Sequence, residues 1–106
     1  MDLYVMLEAF EEQLFLRCLP LRPQEECRLL LQVRFSSRWD AFPEKYAVLW
    51  REGGESLKIP LQEGVGEIPW SFALEAAPFY LHIRGERGKE YLSTNQVCGA
   101  FVEKPR

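Results

Sequence analysis

Apolar and polar side chains alternate with a period of two over much of this chain, and that period belongs to half-buried strands. Leu29, Leu31, Val33 and Phe35 are apolar, while Gln32 and Arg34 fall between them. The alternation is cleanest over residues 79–84, with Phe79, Leu81 and Ile83 on one face and Tyr80, His82 and Arg84 on the other. Leu57, Ile59 and Leu61 repeat it, and Pro60, which has no amide donor, predicts an edge position or a strand end there. Tyr46-Ala47-Val48-Leu49-Trp50 is a continuous apolar run, as expected of a central strand. Trp50 lies in phase with Tyr46 and Val48, which predicts a core position for it. A last strand is predicted over residues 97–102, with Gly99 marking a bulge.

Turn signals separate these runs at Glu52-Gly53-Gly54-Glu55, Glu63-Gly64-Val65-Gly66 and Gly85-Glu86-Arg87-Gly88. A short helical turn is predicted near residues 71–76, ended by Pro78. The N-terminal part has two readings. Leu3, Val5 and Leu7 alternate as in a strand, yet Leu3, Leu7, Phe10 and Leu14 also share one helical face. Leu14-Phe15-Leu16-Arg17-Cys18 again suits a strand, and two short strands are the favoured reading. Pro20 and Pro23 make residues 19–24 a loop or an edge, so the first 28 residues are the least determined. Short strands with frequent turns predict an all-β chain, an antiparallel β-sandwich forming one domain over residues 1–106.

Composition narrows the function more than the fold. The chain has 106 residues, 47% hydrophobic and 27% charged, which is ordinary for a folded domain and argues against disorder. Its net charge of -3 comes from interspersed signs with no basic block, which counts against nucleic acid as a partner. The longest apolar runs fall far short of a membrane span of about 20 residues. Met1-Asp2-Leu3 opens the chain without a basic stretch, so no signal peptide is read. Cys18, Cys27 and Cys98, spaced by 9 and 71 residues, fit neither a disulfide framework nor a zinc site. Cys18 and Cys98 are expected to be small buried hydrophobes in a protein made in a reducing cytoplasm.

Candidate chemistry is sparse. His82, the single histidine, stands on the polar side of its strand and reads as solvated rather than catalytic. Glu63 and Glu67 flank a turn but lack the dense acidic pattern of a calcium loop. Gly53-Gly54 and Gly64-Val65-Gly66 are not followed by the lysine and hydroxyl of a phosphate loop. Ser36-Ser37 and Ser93-Thr94 have no nearby histidine to activate them. No catalytic, metal or cofactor site is therefore expected. Trp39, placed in a loop, Trp70, expected to plug one end of the sandwich, and Tyr80 are the candidates for an aromatic sugar platform.

The middle of the chain resembles a family of immunoglobulin-like domains of tailed bacteriophages that infect Gram-positive bacteria. These often form the N-terminal domain of baseplate, tail or head fibre proteins. The resemblance covers residues 29–102. Phe35-Ser36-Ser37-Arg38-Trp39-Asp40-Ala41-Phe42 is similar to the family's F-x-x-x-W-D-G-L, with Ala41-Phe42 in place of Gly-Leu. Ala47-Val48-Leu49-Trp50 resembles its A-V-F strand, Glu52-Gly53-Gly54 its N-G-D turn, and Lys58-Ile59-Pro60-Leu61 its E-V-P-L. Gly66-Glu67-Ile68-Pro69-Trp70 resembles C-T-I-P-W, the most specific piece, and Phe72 and Leu74 sit at the family's short helical turn. Leu81-His82-Ile83-Arg84-Gly85 resembles V-S-V-F-G, and Ser93-Thr94-Asn95-Gln96-Val97 resembles T-T-N-x-V.

The resemblance implies structural roles for Trp39, Asp40, Trp50, Ile68, Pro69, Trp70, Gly85, Thr94 and Asn95. It implies a non-enzymatic virion protein, made in the bacterial cytoplasm, with other phage structural proteins as partners. Several copies or a homo-oligomer on the particle are expected, and no nucleic acid or membrane. A chain ending at Arg106 fits a decoration, collar or baseplate-attached module better than an adhesin. Two other readings stay open: a carbohydrate-binding module, and a non-packaged phage protein that binds a host factor.

Overall fold

The computed structural model describes residues 2–19, 28–54, 56–73 and 77–100. The N-terminal ambiguity resolves into strands, β1 (Asp2–Phe10) and β2 (Gln13–Cys18). β3 (Arg28–Phe35) follows, then a 3-10 helix (Ser37–Ala41) and β4 (Glu44–Trp50). β5 (Leu57–Pro60) and β6 (Val65–Glu67) lead to a one-turn helix α1 (Trp70–Ala73). β7 (Phe79–Arg87), β8 (Glu90–Ser93) and β9 (Val97–Gly99) complete the described chain.

The strands form an all-β sandwich of two sheets. One has the order β2-β1-β3-β6, and the other has β5-β4-β7-β8 with β9 also paired to β7. Period-2 alternation turns one side of each sheet inwards. Val5, Leu7, Leu29 and Leu31 from the first sheet meet Ala47, Leu49, Leu81 and Ile83 from the second, all fully buried in one cluster. One pairing departs from an antiparallel scheme: β1 and β3 run parallel, from Asp2 opposite Arg28 to Ala9 opposite Phe35. β2 fits between them in sequence but outside them in space, so β1 is a central strand.

Several expectations change in detail. Trp50 faces outwards, half-buried, because Ala47 and Leu49 take the inward positions of β4. A run without polar residues carries no phase, and the smaller side chains fit inside. Cys18 and Cys98 are both exposed rather than buried, each near the end of a strand at a sheet edge. Gly85 lies within β7, and the turn follows at Gly88, in the left-handed region with φ of 61°. The helical turn comes earlier than expected, starting at Trp70, where Pro69 O accepts from Phe72 N–H at 3.0 Å. Trp39 stands on a 3-10 helix instead of an irregular loop. The segment around Pro20 and Pro23, Cys27 and Leu74 lie outside the described residues.

The turn between β5 and β6 shows local chemistry deciding geometry. Glu63 and Gly64 both have positive φ, 53° and 81°, and Gln62 and Val65 exchange backbone hydrogen bonds across them. That is a type I′ turn, whose twist matches the flanking strands. A side chain at residue 64 would also meet Val33 O at 2.7 Å, so glycine is required there twice over.

Candidate functional site

Four of the motif residues meet at one seam between the sheets. The β1–β2 turn, Glu11-Glu12, puts Glu11 at a φ of 56°, a conformation that a non-glycine residue adopts only when its surroundings hold it. Two side chains and the backbone of Asn95 hold the turn. Glu11 N–H donates to Ser36 Oγ at 3.0 Å, and Trp39 Nε1–H donates to Glu11 O at 3.0 Å. Asn95 N–H donates to Glu12 O at 3.1 Å, while its Oδ1 accepts from Leu14 N–H at 2.9 Å. Leu14 N–H belongs to an edge strand, so Asn95 satisfies a donor that β1 leaves open.

Thr94 prepares that reach. β8 and β9 pair in succession along β7, and Thr94 sits at the break between them. It keeps the ladder intact by itself, since Thr94 N–H donates to Ile83 O and Ile83 N–H donates to Thr94 Oγ1, both at 3.0 Å. The chain then leaves the sheet over Asn95 and Gln96, and Asn95 crosses to the other sheet. Trp39 is 0% exposed and lies over Gly85, where an added Cβ would stand 3.1 Å from the indole and 2.9 Å from Phe42 Cβ. Replacing Asn95 by alanine removes the acceptor for Leu14 N–H. A loss of about 1 kcal/mol is expected at this part-exposed bond, measured by urea unfolding.

The remaining motif residues spread out. Ile68 is buried and its N–H donates to Leu29 O at 2.9 Å, Pro69 is exposed, and Trp70 is half-buried against the core. Asp40 is exposed. Of the proposed sugar platform, Trp39 offers no ring face because it is wholly buried. Tyr80 stacks instead on Trp50, with ring centroids 4.6 Å apart, and Trp50 Nε1–H donates to Gln96 Oε1.

The outward face of the five-stranded sheet continues this pattern of internally matched groups. Tyr46 O–H donates to Glu86 Oε1 at 2.8 Å, and Arg84 Nε–H donates to the same oxygen at 3.1 Å. The Tyr46 hydrogen bond, more than any other contact, holds the Glu86 carboxyl below its ordinary range. Lys58 and Arg84 lie over the Tyr46 and Tyr91 rings, each at 4.1 Å. His82 is half-buried on this face, and desolvation, followed by the Arg84 charge, lowers its pKa. A histidine so placed resists protonation.

The outward face of the four-stranded sheet is different. Tyr4, Met6, Phe10 and Phe15 are exposed there by 39%, 37%, 63% and 38%. They share this solvent-facing side of β1 and β2 with Asp2, Glu8 and Arg17. Among the described residues no group of three or more His, Cys, Asp or Glu side chains is placed to hold a metal ion. Among them, too, no helix is long and apolar enough to cross a membrane.

Sequence reasoning located Trp39, Gly85, Thr94 and Asn95 through their resemblance to a motif, but not their meeting. Ser36, dismissed as a nucleophile, acts as a hydrogen-bond acceptor across 25 residues, and Asn95 reaches Leu14 across 81. No local pattern signals contacts at such separations.

No protein-family model matches this chain, and no curated protein does. Among solved structures it is similar to the N-terminal domain of phage TP901-1 ORF48. The two are 10% identical, the match covers 98% of each chain, and the TM-score is 0.50. At that identity the likeness establishes a shared fold that runs almost the full length of both.

Proposed function

We propose that this chain is a non-enzymatic structural module of a tailed-phage particle, an immunoglobulin-like domain that docks on neighbouring virion subunits. The observation that carries the reading is the shared fold with the N-terminal domain of a phage protein over 98% of both chains. The meeting of Trp39, Gly85, Thr94 and Asn95 at one seam supports it, because the phage-domain resemblance picks out those same residues. Their roles are architectural: they lock a turn and bind two sheets together. The module presents surfaces, and its work is contact with other proteins.

Purified particles test the proposal. Mass spectrometry of intact virions is expected to find the protein at a fixed ratio to other structural subunits, and negative-stain images of particles lacking it are expected to show missing density. Its absence from virions, with recovery from infected cells bound to a host protein, would replace this reading with that of a non-packaged host-factor binder.

A further inference from the structure

We propose that the outward face of the four-stranded sheet pairs with the same face of a second copy of this chain, about a two-fold axis lying between β1 and β3 and parallel to them. Among the described residues, four of the five large hydrophobic ones that stand exposed lie on this face. Leu30 also points outwards but is only 5% exposed, so the accessible apolar surface belongs to Tyr4, Met6 and the two phenylalanines. Among the described residues the opposite face of the sandwich exposes one such side chain, Tyr91, and lays its cations over its own tyrosines.

The register of β1 and β3 identifies the occupant. On this face Asp2 stands beside Arg28, Tyr4 beside Leu30, Met6 beside Gln32 and Glu8 beside Arg34. From Asp2 to Glu8, β1 therefore carries an acid at either end with apolar residues between, Phe10 lying beyond, and β3 carries a base at each matching level. A two-fold axis running between the strands exchanges them. Each β1 residue then faces the β3 residue of the other copy at its own level. Acid meets base at both ends, Tyr4 comes to the level of Leu30, which its own chain already covers, and Met6 meets the stem of Gln32. An isologous interface needs this self-complementarity. Glu8 and Arg28 now have exposed ion pairs with Arg17 at 3.4 Å and Glu67 at 3.1 Å, while Arg34 has no ion-pair partner among the described residues.

The size fits a weak, reversible dimer. Strands of nine, six, eight and three residues, about 4.8 Å apart and rising about 3.3 Å per residue, give a face of roughly 400 Å². Two copies would bury about 800 Å², in the range of weak, transient contacts. Sheet twist opens the corners of such a contact, which leaves the rows of Tyr4 and Met6 at its centre. A dimer with a micromolar dissociation constant is the expected outcome, weakened by salt because charges frame it.

Sedimentation velocity across a concentration series tests this. The mass is expected to rise from monomer to dimer. Glu8→Arg and Arg34→Glu are each expected to weaken association about tenfold or more, since each places like charges opposite one another across the axis. The double swap, Glu8→Arg with Arg34→Glu, restores acid opposite base and is expected to recover most of the loss. Met6→Lys, at the centre, is expected to abolish the dimer. Melting curves of dilute protein separate these effects from folding, as Glu8 and Arg34 are also neighbours within one chain. A chain that stays monomeric at all concentrations overturns the proposal, as does a dimer indifferent to these substitutions or a double swap that recovers nothing. The inference shares only the fold with the particle reading. A dimer lacking from virions and a virion protein that is monomeric are distinct results, so the two tests fail separately.

Discussion

Replacing Trp39 by alanine is expected to cost about 3–5 kcal/mol of folding stability, the range for truncating a fully buried large aromatic residue. The indole is packed on Phe35 and Phe42 at centroid distances of 5.2 and 6.4 Å, and no part of it reaches solvent. Its removal opens a cavity between the sheets. It also takes away the donor for Glu11 O, the carbonyl of a residue held at positive φ. Trp39→Phe separates the two contributions, keeping most of the ring while losing the hydrogen bond, and a smaller cost of about 1–3 kcal/mol is expected. Urea unfolding followed by far-ultraviolet circular dichroism measures both. Trp50 and Trp70 remain as fluorescence reporters in either variant.

The second large effect is expected at Gly85. An alanine there brings a methyl group within 2.9 Å of Phe42 Cβ and 3.1 Å of the Trp39 ring. Neither neighbour is a free side-chain end, because both lie in the closed core. Overpacking of this kind costs about 1–3 kcal/mol, and Gly85→Val is expected to reach or exceed the top of that range. The diagnostic result is the coupling. In a Trp39→Ala background the added methyl group loses the indole contacts but keeps Phe42 Cβ at 2.9 Å, so the cost of Gly85→Ala is expected to fall in part. A double-mutant cycle in urea reads that interaction directly. Additive costs would mean that Gly85 is required for strand geometry and not for receiving Trp39.

These two residues also mark how far the fold could be read from the chain. Wherever polar residues interrupt apolar ones, as at Gln32 and Arg34 or at His82 and Arg84, the inward face was legible and is the face observed. Tyr46 to Trp50 carries no polar residue to fix the phase, and there the tryptophan ended on the other side. Alternation identifies a strand but not its neighbour, so the parallel pairing of β1 with β3 was hidden. Exposure of Cys18 and Cys98 was hidden for a related reason: small residues near strand ends at a sheet edge have no second layer to cover them. The seam was half legible. Its residues stood out, yet their meeting depends on tertiary closure, and both outward faces became comparable only once the register was known.

The link between Asn95 and the Glu11-Glu12 turn also bears on the order in which the molecule can assemble. The bond from Leu14, just past that turn, to Asn95 spans 81 residues, whereas β1 and β2 are joined by two. Closing so long a loop costs entropy that only many simultaneous contacts repay, which slows such steps. The first hairpin can therefore form early on a growing chain, but it stays unlatched until the strand carrying Thr94 and Asn95 arrives. During synthesis, the turn at Glu11-Glu12 waits for a segment made about eighty residues later. A nascent chain stopped short of residue 94 holds most of both sheets and none of the bolt between Asn95 and the first turn.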